Sequence, residues 1–440
     1  MPSYKSILKP AIFAFAALCA FSSCKKNGRT DIKLVDTTKP VDTIAPVDTP
    51  YVFACAPATF AGIATKYNDY FTRGNTTEDQ WTGADATYSV PLGDGKILWA
   101  FGDTFVGKVN PPDAKHKYRW RSGGRLISNT FMIQNTNVTP NTFITVVGAG
   151  DAPGGGHWPV VKTGKEYDGA NKNEWYWPSD GTVIGDKLYM FFTRYKHHNN
   201  SYYSTGSDVF TFSVAELKAL TATVSTINST KVIYYNMPSN QYDETHFGAA
   251  ILEDGVKDHY VYIADKVDFY PFGKWHCSKV LKVDQNNFTG KGKYFAGYGP
   301  APAYEPQWTD NFTGSASTSG NMKRLENGKL VDLLVMNEFA VIKTKNKYRL
   351  ITQREGDSKH IDSYESTSPV GPWDCRTLIH TITEVATEPV STYNGFLHPQ
   401  IKNGDNQYLF GYNLNAKNFS DVFNRVDTYR PKFIWVTIPD

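Results

Sequence analysis

Cysteine is scarce in this chain, and its spacing excludes metal–thiolate chemistry. Of five cysteines in 440 residues, Cys19 lies in an N-terminal apolar run and Cys24 at its end. The remaining Cys55, Cys277 and Cys375 are an odd set that can close at most one disulfide, and no CxxC pair occurs. His197-His198 and the other histidines lack zinc-ligand spacing, so no metal site is expected. Charge of one sign is missing too: 46 basic against 43 acidic residues leave a net +3. With no basic cluster beyond pairs such as Lys25-Lys26, nucleic acid is excluded as a partner. Helical periodicity is nearly absent, the best stretch being 213–220 (SVAELKAL). The apolar run at 11–21 (AIFAFAALCAF) is too short to span a bilayer as a stable anchor.

That run does read as an export signal. Lys5 and Lys9 precede it, and Ser22-Ser23-Cys24 closes it with two small residues and a cysteine. This ending resembles a bacterial lipoprotein lipobox, in which Cys24 becomes the lipidated N-terminus. Residues 1–23 are then the signal peptide. A polar, Pro-rich stretch follows, with Pro-Val-Asp-Thr twice, and makes 24–50 a flexible tether. The expected location is the cell envelope, as an outer-membrane lipoprotein touching the membrane only through its lipid. Residues 51–440 form the folded domain.

That domain reads as all-β. Aromatic residues make up 14% of the chain, and short runs of β-formers alternate with Gly, Asn and Asp. The clearest is GADATYSV, a turn at Gly93-Asp94-Gly95, then KILWAFGDT. The pattern returns at 180–194, 246–265, 317–337 and 398–412, each time with further short strands behind it. Five sheets of about four strands predict a five-bladed β-propeller. In each blade the start of the first strand and the end of the second share one end of the hairpin. Those positions hold Asp85 and Asp103, Asp180 and Arg194, His246 and Asp265, Ser319 and Asn337, and His398 and Tyr412. Polar groups at nearly every one predict a functional rim at the mouth of the central channel.

The first pair is the most specific. A turn centred on Asp94 makes facing residues sum to 188, so Val90 faces Leu98, Tyr88 faces Ala100, and Asp85 faces Asp103. Two like charges directly opposite each other are destabilising. A glycosidase needs such a pair, one carboxylic acid and one carboxylate. Asp180, Arg194, His246 and His398 are expected to hold sugar hydroxyls or tune the pair. Trp81 and Trp177, with Trp275 and Trp308 behind them, are candidate sugar platforms. For each of these the structural alternatives are a turn cap, a salt bridge, a packed rim histidine or core packing.

The stretch WTGADATYSVPLGDGKILWAFGDTF resembles the opening blade of glycoside hydrolase family 183, the endo-D-arabinanases. WPSDGTV at 177–183 extends the likeness in pattern, and SPVGPW at 368–373 is similar to a turn of the five-bladed family 43 arabinanases and xylosidases. The family 183 resemblance implies that Asp85 and Asp103 do the chemistry on an arabinan-type polysaccharide. Family 43 would use Asp85, Asp180 and a third-blade glutamate, for which Glu244 is nearest. No cofactor is implied beyond a structural calcium in the channel, which sequence leaves open, and a monomer is expected. A glycan-binding lipoprotein without activity and a propeller scaffold for envelope proteins are the alternative readings.

Overall fold

The computed structural model describes residues 54–72, 80–122, 125–153, 156–166, 173–198, 201–236, 245–255, 257–267, 275–312, 314, 318–354 and 356–440. Strands dominate, and among these residues five sheets carry four or more strands, antiparallel except where Val224–Thr226 runs parallel to Thr142–Asp151 in the first. The first starts with Tyr88–Gly93 and Lys96–Phe101, the second with Glu174–Ile184 and Lys187–His198. The third starts with Thr245–Glu253 and Asp258–Val267, the fourth with Phe339–Lys343 and Tyr348–Arg354. The fifth is built from Val390–Lys402, Gln407–Ala416, Pro431–Thr437 and, at its edge, the distant strand Thr59–Ile63. First strands of successive sheets touch one another, and that of the fifth touches that of the first.

The reason is hydrophobic. Leu98, Leu188, Met190, Ile351, Leu397 and Phe410 are fully buried and belong to one cluster spanning four sheets. Burial of each such side chain is worth about 1.5–3 kcal/mol. A second aromatic cluster fills the junction of the first and fifth sheets. There Phe71 of the helix Thr65–Thr72 packs on Trp99 (5.0 Å) and Phe433 (4.9 Å).

Four of the five expected hairpins open a sheet. The fourth does not: Lys323–Glu326 and Lys329–Asp332 form a separate two-stranded ladder, and the fourth sheet begins at Phe339. The turn chemistry at Asn327 (φ 51°) and Gly328 (φ 74°) is genuine. The deciding factor is burial, because FAVIK at Phe339–Lys343 supplies four buried apolar residues while the Asn-Gly hairpin is half exposed. The one expected helix is present as Val214–Ala219, with the Ser213 hydroxyl accepting the Glu216 N–H at 3.2 Å. Cys55 and Cys375 form a disulfide and Cys277 is free and buried. Beside that bond Ala56 donates to Glu365 Oε1 (2.8 Å), and the buried Arg349 bonds both Glu365 (2.6 Å) and the Ala56 carbonyl (2.7 Å).

Candidate active site

The first hairpin is longer than its first ladder. Beyond Tyr88↔Ala100 the two arms pair again as Ala84↔Thr104 and Gly83↔Phe105, and the sum of 188 holds from Pro91↔Ile97 to Gly83↔Phe105, with irregularities at Pro91/Gly93 and Trp81/Gly83 on either side. Asp85 and Asp103 sit between the two ladders, where both arms are kinked. Asp85 N–H points to the Asp103 carbonyl (3.4 Å), and Gly102 N–H donates to the Asp85 carbonyl (2.9 Å). The kink requires a left-handed residue, and Ala86 takes φ 48°. That is a costly conformation for a residue with a Cβ, of the kind found where a structure must aim a side chain.

Each carboxylate has its own donor. Tyr393 Oη–H donates to Asp85 Oδ2 (3.1 Å), and Asn415 Nδ2 donates to the same phenol (3.2 Å). Trp177 Nε1–H donates to Asp103 Oδ1 (2.8 Å). Tyr429 Oη–H donates to the Asp103 carbonyl (2.9 Å). Gly102 makes room for the pair, since a Cβ there would lie 2.5 Å from Asp85 Oδ1. Gly83 does the same for the wall behind: a Cβ would strike the Tyr429 carbonyl and the guanidinium of Arg121, whose Nη2 holds the Thr82 carbonyl at 2.7 Å.

Burial raises both carboxyls above the ordinary range. Asp85 is pushed up to about 6, opposed by the Tyr393 and Tyr429 hydroxyls, and Asp103 to about 8 by burial and then by the charge of Asp85. Like charges across a hairpin with no cation between them hold one proton between them near neutrality. The arrangement therefore offers a proton donor beside a carboxylate.

Trp177 also belongs to an aromatic group beside Asp103, with Tyr195 at 4.5 Å, Tyr202 at 5.3 Å and Trp175 at 5.7 Å between ring centroids. His246 stands behind it, its Nδ1 at 3.1 Å from Tyr195 Oη. Asp180 lies in a bulge of the second sheet's first strand. Its oxygens accept the N–H groups of Gly181 and Ile251, both at 2.8 Å, and so join the second sheet to the third. Burial pushes its carboxyl up to about 8.

Five residues expected at the rim make other contacts. Arg194 faces Tyr176 rather than Asp180, and its guanidinium bonds Thr205 Oγ1 (2.7 Å) and buried Asp208 (3.3 Å) within its own sheet. His398 is fully buried between Trp99 (4.9 Å) and Phe433 (5.8 Å), with Ser89 Oγ at 2.6 Å from Nδ1, and burial lowers it to about 3. Trp81 is a core residue packed on Phe71 and Phe101. Trp308 packs on Phe295 (5.9 Å) and Lys282 (4.4 Å) in the third sheet. Asp265 faces Thr245 rather than His246 and pairs with Lys279 at 3.2 Å. Cys24, the leader, the tether, Glu244 and the Trp275 side chain lie outside the described residues.

The residues that sequence reasoning missed are Tyr393, Asn415, Tyr429 and Glu338. The fifth sheet's first strand begins at Val390, eight residues before His398, so its site-side position is Tyr393↔Asn413. Glu338 immediately precedes the fourth sheet, and its charge acts on the buried Tyr88 hydroxyl together with that of Asp180. Among the described residues no group of three or more His, Cys, Asp or Glu is arranged to hold a metal ion.

The model of the family described as a domain of unknown function, DUF5005, matches residues 64–437. The chain belongs to that family. No curated protein matches this DUF5005 chain in sequence. Its fold is similar to the crystal structure of a provisionally assigned hydrolase from Bacteroides ovatus ATCC 8483, with TM-score 0.63 and 19% identity over 85% of this chain and 89% of that one. A Cellvibrio cellulosa alpha-L-arabinanase mutant aligns at TM-score 0.40 and 10% identity, over 82% and 93% of the two chains. The Coprinopsis cinerea GH62 alpha-L-arabinofuranosidase catalytic domain aligns at 0.37 and 11%, over 87% and 96%.

Proposed function

We propose that this DUF5005 chain is a glycoside hydrolase with a five-bladed β-propeller fold, related to glycoside hydrolase family 183 and acting on an arabinan-type polysaccharide. The carrying observation is the Asp85–Asp103 pair, two half-buried carboxyls placed opposite each other by a kinked hairpin with separate donors on each. The five sheets and the contacts between their first strands support the propeller. The family 183 reading rests on the opening-blade motif, and so does the choice of arabinan.

In the mechanism, Asp103 gives its proton to the glycosidic oxygen as the C–O bond breaks and its electron pair passes to that oxygen. Asp85 forms a bond to the anomeric carbon on the opposite face. Water then displaces Asp85 and returns a proton to Asp103. Cross-strand neighbours favour carboxyl separations near the about 5–5.5 Å of retaining enzymes. The half-buried Trp177 and the partly exposed Tyr202 offer ring faces for a sugar beside Asp103.

Incubating the purified domain with arabinan, arabinogalactan and xylan should release oligosaccharides from an arabinan, with retained anomeric configuration by NMR. Absence of any product from all three would sink the reading. Export is part of the proposal. It is supported by the leader, the lipobox and the Cys55–Cys375 bond, which suits an oxidising compartment. The proposed boundaries are those of the sequence: signal 1–23, tether 24–50, monomeric domain 51–440. Cys24→Ala should release the protein from membranes while export continues; persistent membrane partitioning would refute the lipid anchor.

A further inference from the structure

We propose that Tyr393, oriented by Asn415, is a positioning residue that fixes Asp85 as the carboxylate facing the sugar carbon, while Trp177 confines the acid proton of Asp103 to Oδ2. This assignment rests on the glycosidase reading and divides its two roles.

The division follows from which groups can only donate. An Asn amide N–H is a donor, so Asn415 occupies a lone pair of the Tyr393 oxygen at 3.2 Å. The single phenolic hydrogen is thereby directed at Asp85 Oδ2, 3.1 Å away. A hydrogen bond given to a carboxylate favours its charged form. An indole N–H is likewise donor only, so Asp103 Oδ1, at 2.8 Å from Trp177 Nε1, must accept. The proton of a protonated Asp103 is then carried on Oδ2, the oxygen not engaged by Trp177.

The surroundings reinforce the asymmetry. The titratable groups facing Asp85 are Asp103, Tyr393 and Tyr429, and those facing Asp103 are Asp85, Tyr393 and Tyr429. No ion pair with a cation is made by either aspartate among the described residues, so donors rather than counter-charges decide which of them ionises first. The Asp85 carboxylate accepts the Tyr393 phenol and that of Asp103 the Trp177 indole, in agreement with the lower titration of Asp85. Tyr393 and Asn415 come from facing strands of the fifth sheet, remote from the first hairpin in sequence. The fifth sheet therefore sets the roles of two residues it does not contain.

The test uses the whole folded domain labelled with aspartate carrying 13C at the side-chain carboxyl, titrated by NMR and assigned with Asp85→Asn and Asp103→Asn. Tyr393→Phe removes only the hydroxyl. Its lower titration step should rise by about one pH unit, the size expected for loss of one hydrogen bond worth about 1.4 kcal/mol. The acidic limb of kcat/KM should rise equally, while the basic limb and KM stay. Asn415→Ala, at a half-exposed position, should move the same step in the same direction by less. A lower step that stays in place in both variants overturns the assignment, as does a lower step that disappears in Asp103→Asn instead of Asp85→Asn. Shifted steps in a protein that cuts no polysaccharide would uphold the pairing and defeat the glycosidase reading.

Discussion

Replacing Gly102 by Ala tests the site through one methyl group. Gly102 lies outside the left-handed region, so the substitution strains no backbone. The new Cβ would sit 2.5 Å from Asp85 Oδ1 and 3.3 Å from the Ala86 Cβ. An ordinary carbon–oxygen contact is near 3.4 Å or beyond, so the carboxylate must retreat by roughly 1 Å. Its retreat is opposed by Tyr393, which holds Oδ2, and by the Ala86 kink. A displacement of that size at a reacting group costs about 10²-fold in rate. Stability should fall by no more than about 2–3 kcal/mol: overpacking costs about 1–3 kcal/mol, and the loss of glycine freedom in the unfolded chain returns about 0.4–1 kcal/mol. Initial rates on the substrate found by the polysaccharide panel, with a melting curve on the same sample, separate the two effects. A Gly102→Ala protein that melts normally and cuts within about twofold of the parent rate would refute the placement of Asp85 in the reaction.

Asp85→Asn and Asp103→Asn should each lower the rate by about 10²–10⁴-fold with an unchanged or slightly raised Tm, because desolvation already disfavours an ionised carboxyl at either position; a fall in Tm with activity intact would reverse the assignment. Activity should follow a bell in pH, with limbs set by Asp85 at about 6 and Asp103 at about 8, and a flat profile across that range would contradict it. Asp180 has a folded pKa, about 8, above its unfolded value of 3.8. Its contribution is therefore complete below pH 3.8 and lost as pH rises through 8, so thermal scans should show Tm falling over that window and falling less steeply in Asp180→Asn. Cys55→Ser opens a link between residues 320 apart and should cost about 4–5 kcal/mol by denaturant unfolding with the site's chemistry intact, whereas unchanged stability would mean that the bond does not form.

Local rules read the first hairpin well because its own turn sets its register. Asp94 and Gly95 take left-handed φ values of 50° and 66°, and after one irregularity between Pro91 and Gly93 a constant register runs from Pro91↔Ile97 to Gly83↔Phe105. The Ser213 cap was legible for the same reason, being settled within four residues. The fifth sheet was not. Its first strand carries irregularities between Tyr393 and Phe396 and between His398 and Lys402, which break the alternation that a strand reading depends on. His398 consequently looks like a rim residue in sequence and is a core residue in space. Tyr393 and Trp177 were beyond reach as partners of the aspartates because both contacts join residues far apart in the chain, 308 and 74 positions respectively. Trp177 could be nominated as an aromatic; its role as a hydrogen-bond donor could not.

The fifth sheet also dictates a timetable. Its edge strand, Thr59–Ile63, pairs among the described residues with Pro431–Thr437 alone, a partner made nearly a whole domain later. At translation speeds of about 5–20 residues per second, that strand waits roughly 20–70 s with both edges bare. The first four sheets can assemble before the chain is complete, but the fifth is finished only once Pro431–Thr437 has been delivered. An exposed strand of this kind can pair with other chains, so the interval before closure is when this protein is most open to aggregation, chaperone capture and proteolysis.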